Sequence, residues 1–419
     1  MRATNIVYKS MIFMLVVAAF MIRLIYVSQL DARVWWVDET DYLALGQSIA
    51  AGNGYVNSQG QPTAFRPPGY PLFLAILSKV AINDAPSVRV VQAFVSSITV
   101  LLLSLLSLRI VGPVASLVSA GLAAGYPYFI YSTGTLFPIT WFSLTLVASV
   151  TFLFIGLDNN RKWYIALAGF CMGLSILTRT SAAVLGLATL LWLLIILFKS
   201  PKKLLLTALV FGLTMTSVLF PWLLRNYHVF GTPVLSTNGG RNLWLGNNPK
   251  STANSGSNIE MPQEFAQRIG MAGEIEADHL YSATALEYIK SDQNHYLWLA
   301  VQKGVALWRL DPSPTTEGYP RYKCLHSLIS WISYAPILLL ALTGFAISNR
   351  AGKKKMLLWL LFGLFFTLLH AVYISKVRFR LPLDYFLILM AGAAINSLVN
   401  KIAPVKKFTQ RLFPEYTYE

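Results

Sequence analysis

The chain has 419 residues, 55% of them hydrophobic and only 12% charged, with a mean hydropathy of +0.54. Soluble domains carry roughly 25% charged residues, and apolar residues spread along the whole length cannot be hidden in one or two globular cores. A water-soluble enzyme is therefore excluded and lipid is the expected solvent. The net charge of +16 resembles that of a nucleic-acid binder, so its meaning depends on where the charges fall.

In chain order, apolar runs able to cross roughly 30 Å of hydrocarbon are predicted near 11–30, 87–108, 113–131, 136–157, 163–178, 181–198, 204–224, 327–347, 356–374 and 381–399, ten spans in all. The first follows Arg2 and Lys9 with no small-residue cleavage site after it, and is expected to be an uncleaved signal anchor. Basic clusters at Arg109, Arg161/Lys162, Lys199/Lys202/Lys203, Arg350 with Lys353 to Lys355, and Lys401/Lys406/Lys407/Arg411 then all fall on the same side as the N-terminus. That distribution is the positive-inside pattern of an inner membrane protein. It absorbs most of the +16, and no nucleic-acid partner is implied. Cys171 and Cys324 are too few for a disulfide framework and are expected to be free packing residues.

The apolar run after RPPGYP at 66–71 is too short for a crossing and reads as an interfacial or re-entrant helix. This puts 31–85 wholly on the outer face. The longest polar region, 225–323, falls on the same face. It has turn signals at FGTP, NGG and GNNP, a Ser/Asn/Gly stretch at 250–258, and amphipathic helices expected from about 262 to 308. The organisation is thus a membrane module over 1–224 with its first outer loop at 31–85, a large outer loop over 225–323, and further spans with an inner tail over 324–419. No internal repeat of 20–50 residues is present.

Charged groups beside the membrane are the informative residues, because placing them there is costly. Asp38, Glu39 and Asp41 follow Trp35 and Trp36, and a helix is expected here with Tyr42, Leu45 and Ile49 as an apolar stripe on the bilayer surface. One reading makes Asp38 the N-cap, with Glu39 and Asp41 complementing the helix dipole. The other makes a crowded boundary carboxylate a general base, and the two are compatible.

Opposite charges gather at the same level: Arg66 before two prolines, Arg179 in TRT, Arg225 in PWLLRNY, and Lys376, Arg378 and Arg380 in KVRFRLP. Guanidinium groups in this setting suit a phosphate, while each alone also fits a snorkelling span end. Three cations on an outer segment ask for a counter-anion. Asp384 offers a purely structural partner for Arg380. Tyr42, Tyr55, Tyr70, Arg241, Asn247 and Asn248 join Asp41 and Arg225 as candidate substrate-site residues. Trp141, Trp222 and Trp244 are expected to be anchors or packing residues. The five histidines lack metal-ligand spacing, and no Walker loop, GxGxxG or GxSxG occurs.

The order DETDY at 38–42, AxGxGY at 51–55, RPPGYP at 66–71, TRT at 178–180, PWLLRNYHVFGTP at 221–233, GNNP at 246–249 and RFRLP at 378–382 resembles the GT-C glycosyltransferases. Within them it is similar to the branch with protein O-mannosyltransferases and the lipid A aminoarabinose transferase. The resemblance implies an all-α polytopic fold of about ten transmembrane helices plus outer-face juxtamembrane helices. It implies an enzyme of a bacterial inner membrane with a periplasmic site. Such an enzyme moves a sugar from a polyprenyl-phosphate donor, with inversion, to a glycan, lipid or protein hydroxyl. By the same resemblance Asp38 is the base and Glu39 its partner acid, while Arg66 and the RFR segment hold the donor phosphate. No cofactor is implied with certainty. In the aminoarabinose branch an acid before the basic residue helps to bind a divalent cation, and here that position is Phe65. The extra spans or soluble C-terminal domain of larger members are not expected. A transferase acting on lipid-diphosphate glycans would use Arg225 and Arg241 in a larger cradle. A flippase of lipid-linked sugars is the competing class. It needs polar groups through the bilayer depth, whereas few residues such as Arg23 lie inside a span.

Overall fold

The computed structural model describes residues 2–256, 259–310 and 323–401. They form α1 (Arg2–Ser28), α2 (Val37–Ala50), α3 (Gly69–Lys79), α4 (Ala85–Ile110), α5 (Pro113–Gly125), α6 (Pro127–Gly134), α7 (Ile139–Asp158) and α8 (Lys162–Thr178). A 3-10 turn at Thr180–Ala182 leads into α9 (Ala183–Leu197). After it come α10 (Pro201–Phe230), α11 (Gly239–Gly246), α12 (Gln263–Met271), α13 (Glu274–Ser291) and α14 (Gln293–Leu307), and then α15 (Lys323–Ile347), α16 (Arg350–Val372) and α17 (Val377–Val399).

Among the described residues eight helices are long and apolar enough to cross a membrane: α1, α4, α7, α9 with its 3-10 turn, α10, α15, α16 and α17. The pair α5 and α6, bent by 48°, makes a ninth. The tenth predicted span is α8, a shorter apolar helix whose Gly169 and Gly173 pack directly on α10. The protein is a multi-pass, all-helical membrane protein.

The bend at Tyr126 and Pro127 is where the helical hydrogen-bond ladder breaks, because proline has no N–H to donate. The carbonyls it frees are met by Arg23, buried in α1, whose Nη1 donates to Ala124 O at 3.0 Å and whose Nη2 donates to Ala123 O at 3.0 Å. Its Nε reaches Ser96 Oγ in α4 at 2.8 Å. Satisfying backbone groups from within is obligatory where no water is available, so Arg23, the basic residue named as lying inside a span, is a cap for a broken helix. The main core gathers Val100, Leu103, Leu146, Val147, Met172, Phe386 and Leu389 from α4, α7, α8 and α17.

The region 31–85 folds as α2 lying on α3. The stripe expected to lie on the bilayer instead packs against protein: Tyr42 and Leu45 are buried with Tyr70, Phe73 and Leu74 of α3. The approach is so close that a Cβ on Gly46 would come within 2.7 Å of Leu74 Cβ. It is α3 that offers an apolar outer face, through Leu72, Ile76 and the following Val80, as expected of an interfacial or re-entrant helix. A Cβ on Gly69 would meet Thr178 Oγ1 at 2.5 Å, so the start of α3 is pressed against the end of α8 and Arg66 is brought towards Arg179. The helices expected over 262–308 are α12 to α14. The turn-rich stretch before them contains a further helix, α11. Cys171 is free and buried. The Cys324 side chain, Lys406, Lys407 and Arg411 lie outside the described residues.

Candidate active site

Two helix N-termini meet at one end of the bundle. The first belongs to α2. Its N-cap is Trp36, not Asp38, so Asp38 lies inside the first turn. Glu39 does the capping: Trp35 N–H and Trp36 N–H donate to its Oε2 at 2.8 and 3.2 Å, and Leu136 N–H donates to its Oε1 at 2.8 Å. Glu39 is fully buried, with both oxygens spent on backbone. It ties α2 to the loop after α6. Asp38 remains open, its side chain 38% exposed.

Arg66 joins the two outward carboxylates: its Nη2 lies 2.6 Å from Asp38 Oδ1 and 3.0 Å from Asp41 Oδ2. Its guanidinium carbon is 5.1 Å from the Tyr42 ring centroid, and its Nε is buried with no hydrogen-bond partner. The backbone beneath is fixed, because Pro67 and Pro68 lead into α3 and Tyr55 Oη donates to Arg66 O at 2.8 Å.

The second N-terminus is that of α17, capped at Lys376. Arg378 in its first turn sits 3.9 Å from Asp38 Oδ2 and 4.8 Å from the Phe137 ring centroid. Arg179, at the end of α8, has no carboxylate partner among the described residues. Its guanidinium lies 4.4 Å over the Phe379 ring, and burial, with Arg378 nearby, lowers its pKa to about 10, so it stays charged. Lys376 donates from Nζ to Asn254 O, and burial followed by Arg378 lowers its pKa to about 8. Two guanidinium groups therefore meet two carboxylates, and Arg179 adds a third cation close by over Phe379, leaving a positive surplus beside a helix end that is itself positive.

The other expected residues lie elsewhere. Arg380 is fully enclosed: its Nε is 3.1 Å from Asp384 Oδ1, its Nη1 donates to Leu307 O and Arg309 O at 3.1 Å each, and it stacks 3.6 Å from the Tyr334 ring centroid. The structural partner therefore takes it, and only Lys376 and Arg378 of the KVRFR segment remain at the site end. Arg225 spends its donors on Thr63 O and Tyr55 O at 2.8 and 2.9 Å, and with Tyr55 against Trp222 it clamps the first loop to α10. Tyr70 is core, donating to Gln92 Oε1 at 2.9 Å. Asn247 and Asn248 are buried and donate to Leu243 O and Trp244 O at 2.8 and 3.0 Å. Arg241 lies 5.8 Å from the Phe65 ring centroid, beside the cluster.

Three partners had no mark of their own in the sequence reading. Arg89 of α4 holds the loop before α2 through Asp31 O and Arg33 O. It is an ionisable residue inside an apolar run, which was its available signal. Phe379 is the floor under Arg179, and is backed by the His370 ring at 4.9 Å. Glu274 of α13 accepts from Ala64 N–H at 2.6 Å, joining the large loop to the residues before Arg66. A divalent cation does not fit the donor set. Asp38 and Asp41 share a cation already, Phe65 offers no oxygen, and no group of three His, Cys, Asp or Glu converges among the described residues.

A family profile described as dolichyl-phosphate-mannose-protein mannosyltransferase matches residues 65–222, less than half of the chain. None of the curated protein sequences matches. Among solved structures, an archaeal oligosaccharyltransferase, AglB from Archaeoglobus fulgidus, superposes with a TM-score of 0.59 at 14% identity in its complex with an inhibitory peptide and a dolichol-phosphate. That match covers 96% of this chain and 51% of that one. The apo enzyme gives 0.60 at 12% identity, covering 97% and 52%. The fold is that of the GT-C glycosyltransferases. Within the GT-C fold this chain spans about half the length of the oligosaccharyltransferase it matches. ArnT from Cupriavidus metallidurans, bound to undecaprenyl phosphate, is more distant, with a TM-score of 0.44 at 13% identity covering 94% of this chain and 79% of that one.

Proposed function

We propose that this protein is an integral membrane glycosyltransferase that moves a sugar from a polyprenyl-phosphate donor to an acceptor hydroxyl, with inversion at the anomeric carbon. The observation that carries the reading is the cationic surplus at the α17 N-terminus. Arg66 and Arg378 pair with Asp38 and Asp41, Arg179 lies over Phe379 with no carboxylate partner among the described residues, and the buried Arg66 Nε is left without a hydrogen-bond acceptor. A buried donor without an acceptor costs roughly 1–3 kcal/mol, and one phosphate group offers the missing oxygens. The positive-inside pattern supports a periplasmic position for this end of the bundle, at a bacterial inner membrane.

In this reading the donor phosphate takes over Arg378 and part of Arg66, while Asp41 keeps the other part. One Asp38 oxygen is then free to face the acceptor. The acceptor oxygen forms its bond to C1, the C1–O bond to phosphate breaks, and the hydroxyl proton passes to Asp38. The leaving lipid phosphate keeps the electron pair, and the guanidinium groups stabilise its charge. Glu39 positions Asp38 through the backbone of α2 and does not touch substrate.

The flippase reading has less support. Of the charged groups deep in the bundle, Arg23 is engaged by backbone carbonyls and Ser96, and Arg380 by Asp384 as an ion pair and by two carbonyls through Nη1. The test is binding of polyprenyl monophosphate to the purified protein in nanodiscs, measured by native mass spectrometry. Wild type is expected to retain one lipid phosphate, and Arg179→Gln combined with Arg378→Gln to lose it. Equal retention by both proteins would overturn the assignment.

A further inference from the structure

Helix α14 is apolar on its exposed face as well as its buried one, and hides a lysine. Its buried face carries Lys303 and Gly304 among Tyr296, Leu299, Ala306 and Leu307, while Leu297, Trp298, Val301 and Val305 are exposed at 69%, 62%, 49% and 63%. In water that arrangement exposes hydrocarbon and hides an amine, the reverse of an amphipathic surface helix. The exposed face also changes along the axis. Gln293, Asn294 and His295 in the first turn are polar and exposed, Trp298 follows one turn on, and only valines are exposed beyond it.

The neighbours fix its depth. The Lys303 Nζ donates to Val372 O and Tyr373 O at 3.0 and 2.9 Å, and to Gly246 O and Asn247 Oδ1 at 3.1 and 3.0 Å. Lys303 is therefore level with the end of α16. Further on, Gly304 faces Thr367 and Ala371, and Trp308 Nε1 donates to Thr367 Oγ1 at 2.8 Å. Thr367 is five residues inside α16, which at about 1.5 Å per residue puts Trp308 roughly 8 Å below its end. The contact ridge on α16 adjoins an exposed ridge of Leu360, Leu364, Leu368 and Val372, the lipid-facing side of a spanning helix.

A helix that ends below a membrane surface leaves carbonyls that water cannot reach. The carbonyls at and just beyond the end of α14 are provided for from within: Arg380 Nη1 donates to Leu307 O and Arg309 O at 3.1 Å each, and Ser330 Oγ donates to Leu310 O, while the Arg309 side chain reaches back to Asn254 Oδ1 at 2.9 Å. The Arg380 charge is in turn held by Asp384.

We propose that α14 is a half-inserted helix whose C-terminal half lies among the acyl chains of the leaflet at the site end, with Trp298 at the headgroup boundary and Arg380 as its intramembrane cap. The partner of its exposed apolar face is lipid. This inference does not depend on the transferase reading, since it concerns depth and not chemistry.

Single cysteines at Asn294, Val301 and Val305, in a chain with Cys171 and Cys324 replaced by alanine, would carry nitroxide labels in vesicles of phosphatidylethanolamine and phosphatidylglycerol. Collision with oxygen reports lipid, and collision with a nickel chelate reports water. At Val305 oxygen collisions are expected to exceed nickel collisions, at Asn294 the order should reverse, and Leu364 serves as the lipid-facing reference. Val305 open to nickel would mean a solvated loop helix. Val305 shielded from both reagents would mean a second copy or another protein on this face. Either result overturns the proposal. If the Val305 variant does not fold, Val301 gives the same readout one turn nearer the surface.

Discussion

The two helix N-termini at the candidate site carry opposite charge, and only one of them is explained by folding. Asp38 and Glu39 in the first turn of α2 complement the positive end of that helix dipole, an arrangement worth roughly 0.3–1 kcal/mol in any protein. Lys376 and Arg378 at the start of α17 oppose theirs. A helix with cations at its positive end is less stable for them, and the fold offsets this only in part, with the Asp38 carboxylate 3.9 Å from Arg378 and the Asn254 carbonyl accepting from Lys376. Acids on α2 are what an ordinary helix contains, whereas the cations on α17 point to a bound anion.

The largest expected effect comes from the acidic side. Asp38→Asn keeps the side-chain volume and a hydrogen bond to Arg66 while removing the proton acceptor. Transfer from a polyprenyl-phosphate sugar is expected to fall by ~10²–10⁴, with insertion and thermal stability retained. Near-normal turnover in this variant would place the base elsewhere and leave Asp38 as a dipole partner only.

Next in size is a contrast within the RFR segment. Arg378→Gln is expected to weaken polyprenyl-phosphate binding by about tenfold or more, since a charge-assisted hydrogen bond contributes roughly 1.5–3 kcal/mol, and to leave unfolding in detergent almost unchanged. Arg380→Gln leaves Asp384 buried without its counter-ion and Leu307 O and Arg309 O without their donor. Breaking a buried pair costs ~3–5 kcal/mol, so this variant should fail in stability first. Equal effects of the two substitutions on lipid binding would put Arg380 back beside the phosphate.

A smaller effect separates the two acids of α2. Glu39→Gln loses the charge that accepts three backbone N–H groups, and about 2 kcal/mol of stability is expected to go with it. Any loss of transfer should appear as reduced kcat at unchanged donor KM, because Asp38 is displaced while the phosphate cradle is intact. A change confined to KM would instead give Glu39 a direct contact with donor.

These contrasts also mark what was legible in the sequence. The spans were, because hydropathy and the basic clusters report a physical solvent and a side. The opposition of Asp38 and Arg66 was legible through the resemblance, and the coordinates bring the two within 2.6 Å. The division of labour within DE and within RFR was not. Glu39 and Asp38 are adjacent in sequence and differ only in which way a helix turn points them. Arg378 and Arg380 differ in whether α14, from a distant part of the chain, needs a cap. The burial of Tyr42 and Leu45 was misassigned to lipid for the same reason, since an apolar stripe does not say whether acyl chains or α3 will cover it.

Lys376 gives the smallest and most diagnostic effect. Its pKa of about 8, below the ordinary 10.5, follows first from burial and then from Arg378. The folded protein therefore binds this proton less tightly than the unfolded chain does. The penalty is fully present below pH 8 and fades as pH rises from 8 towards 10.5, so this group alone should make the fold more stable with rising pH over that window. Anion binding should move the other way, because the charge on Lys376 is lost as pH passes 8. Measured between pH 7.5 and 9.5, the affinity for polyprenyl monophosphate is expected to fall several-fold while the unfolding temperature does not. Lys376→Arg, which keeps its charge throughout, should flatten the affinity profile. If affinity is flat with pH in the wild type, Lys376 does not face the phosphate, and Arg66, Arg179 and Arg378 form the cradle alone.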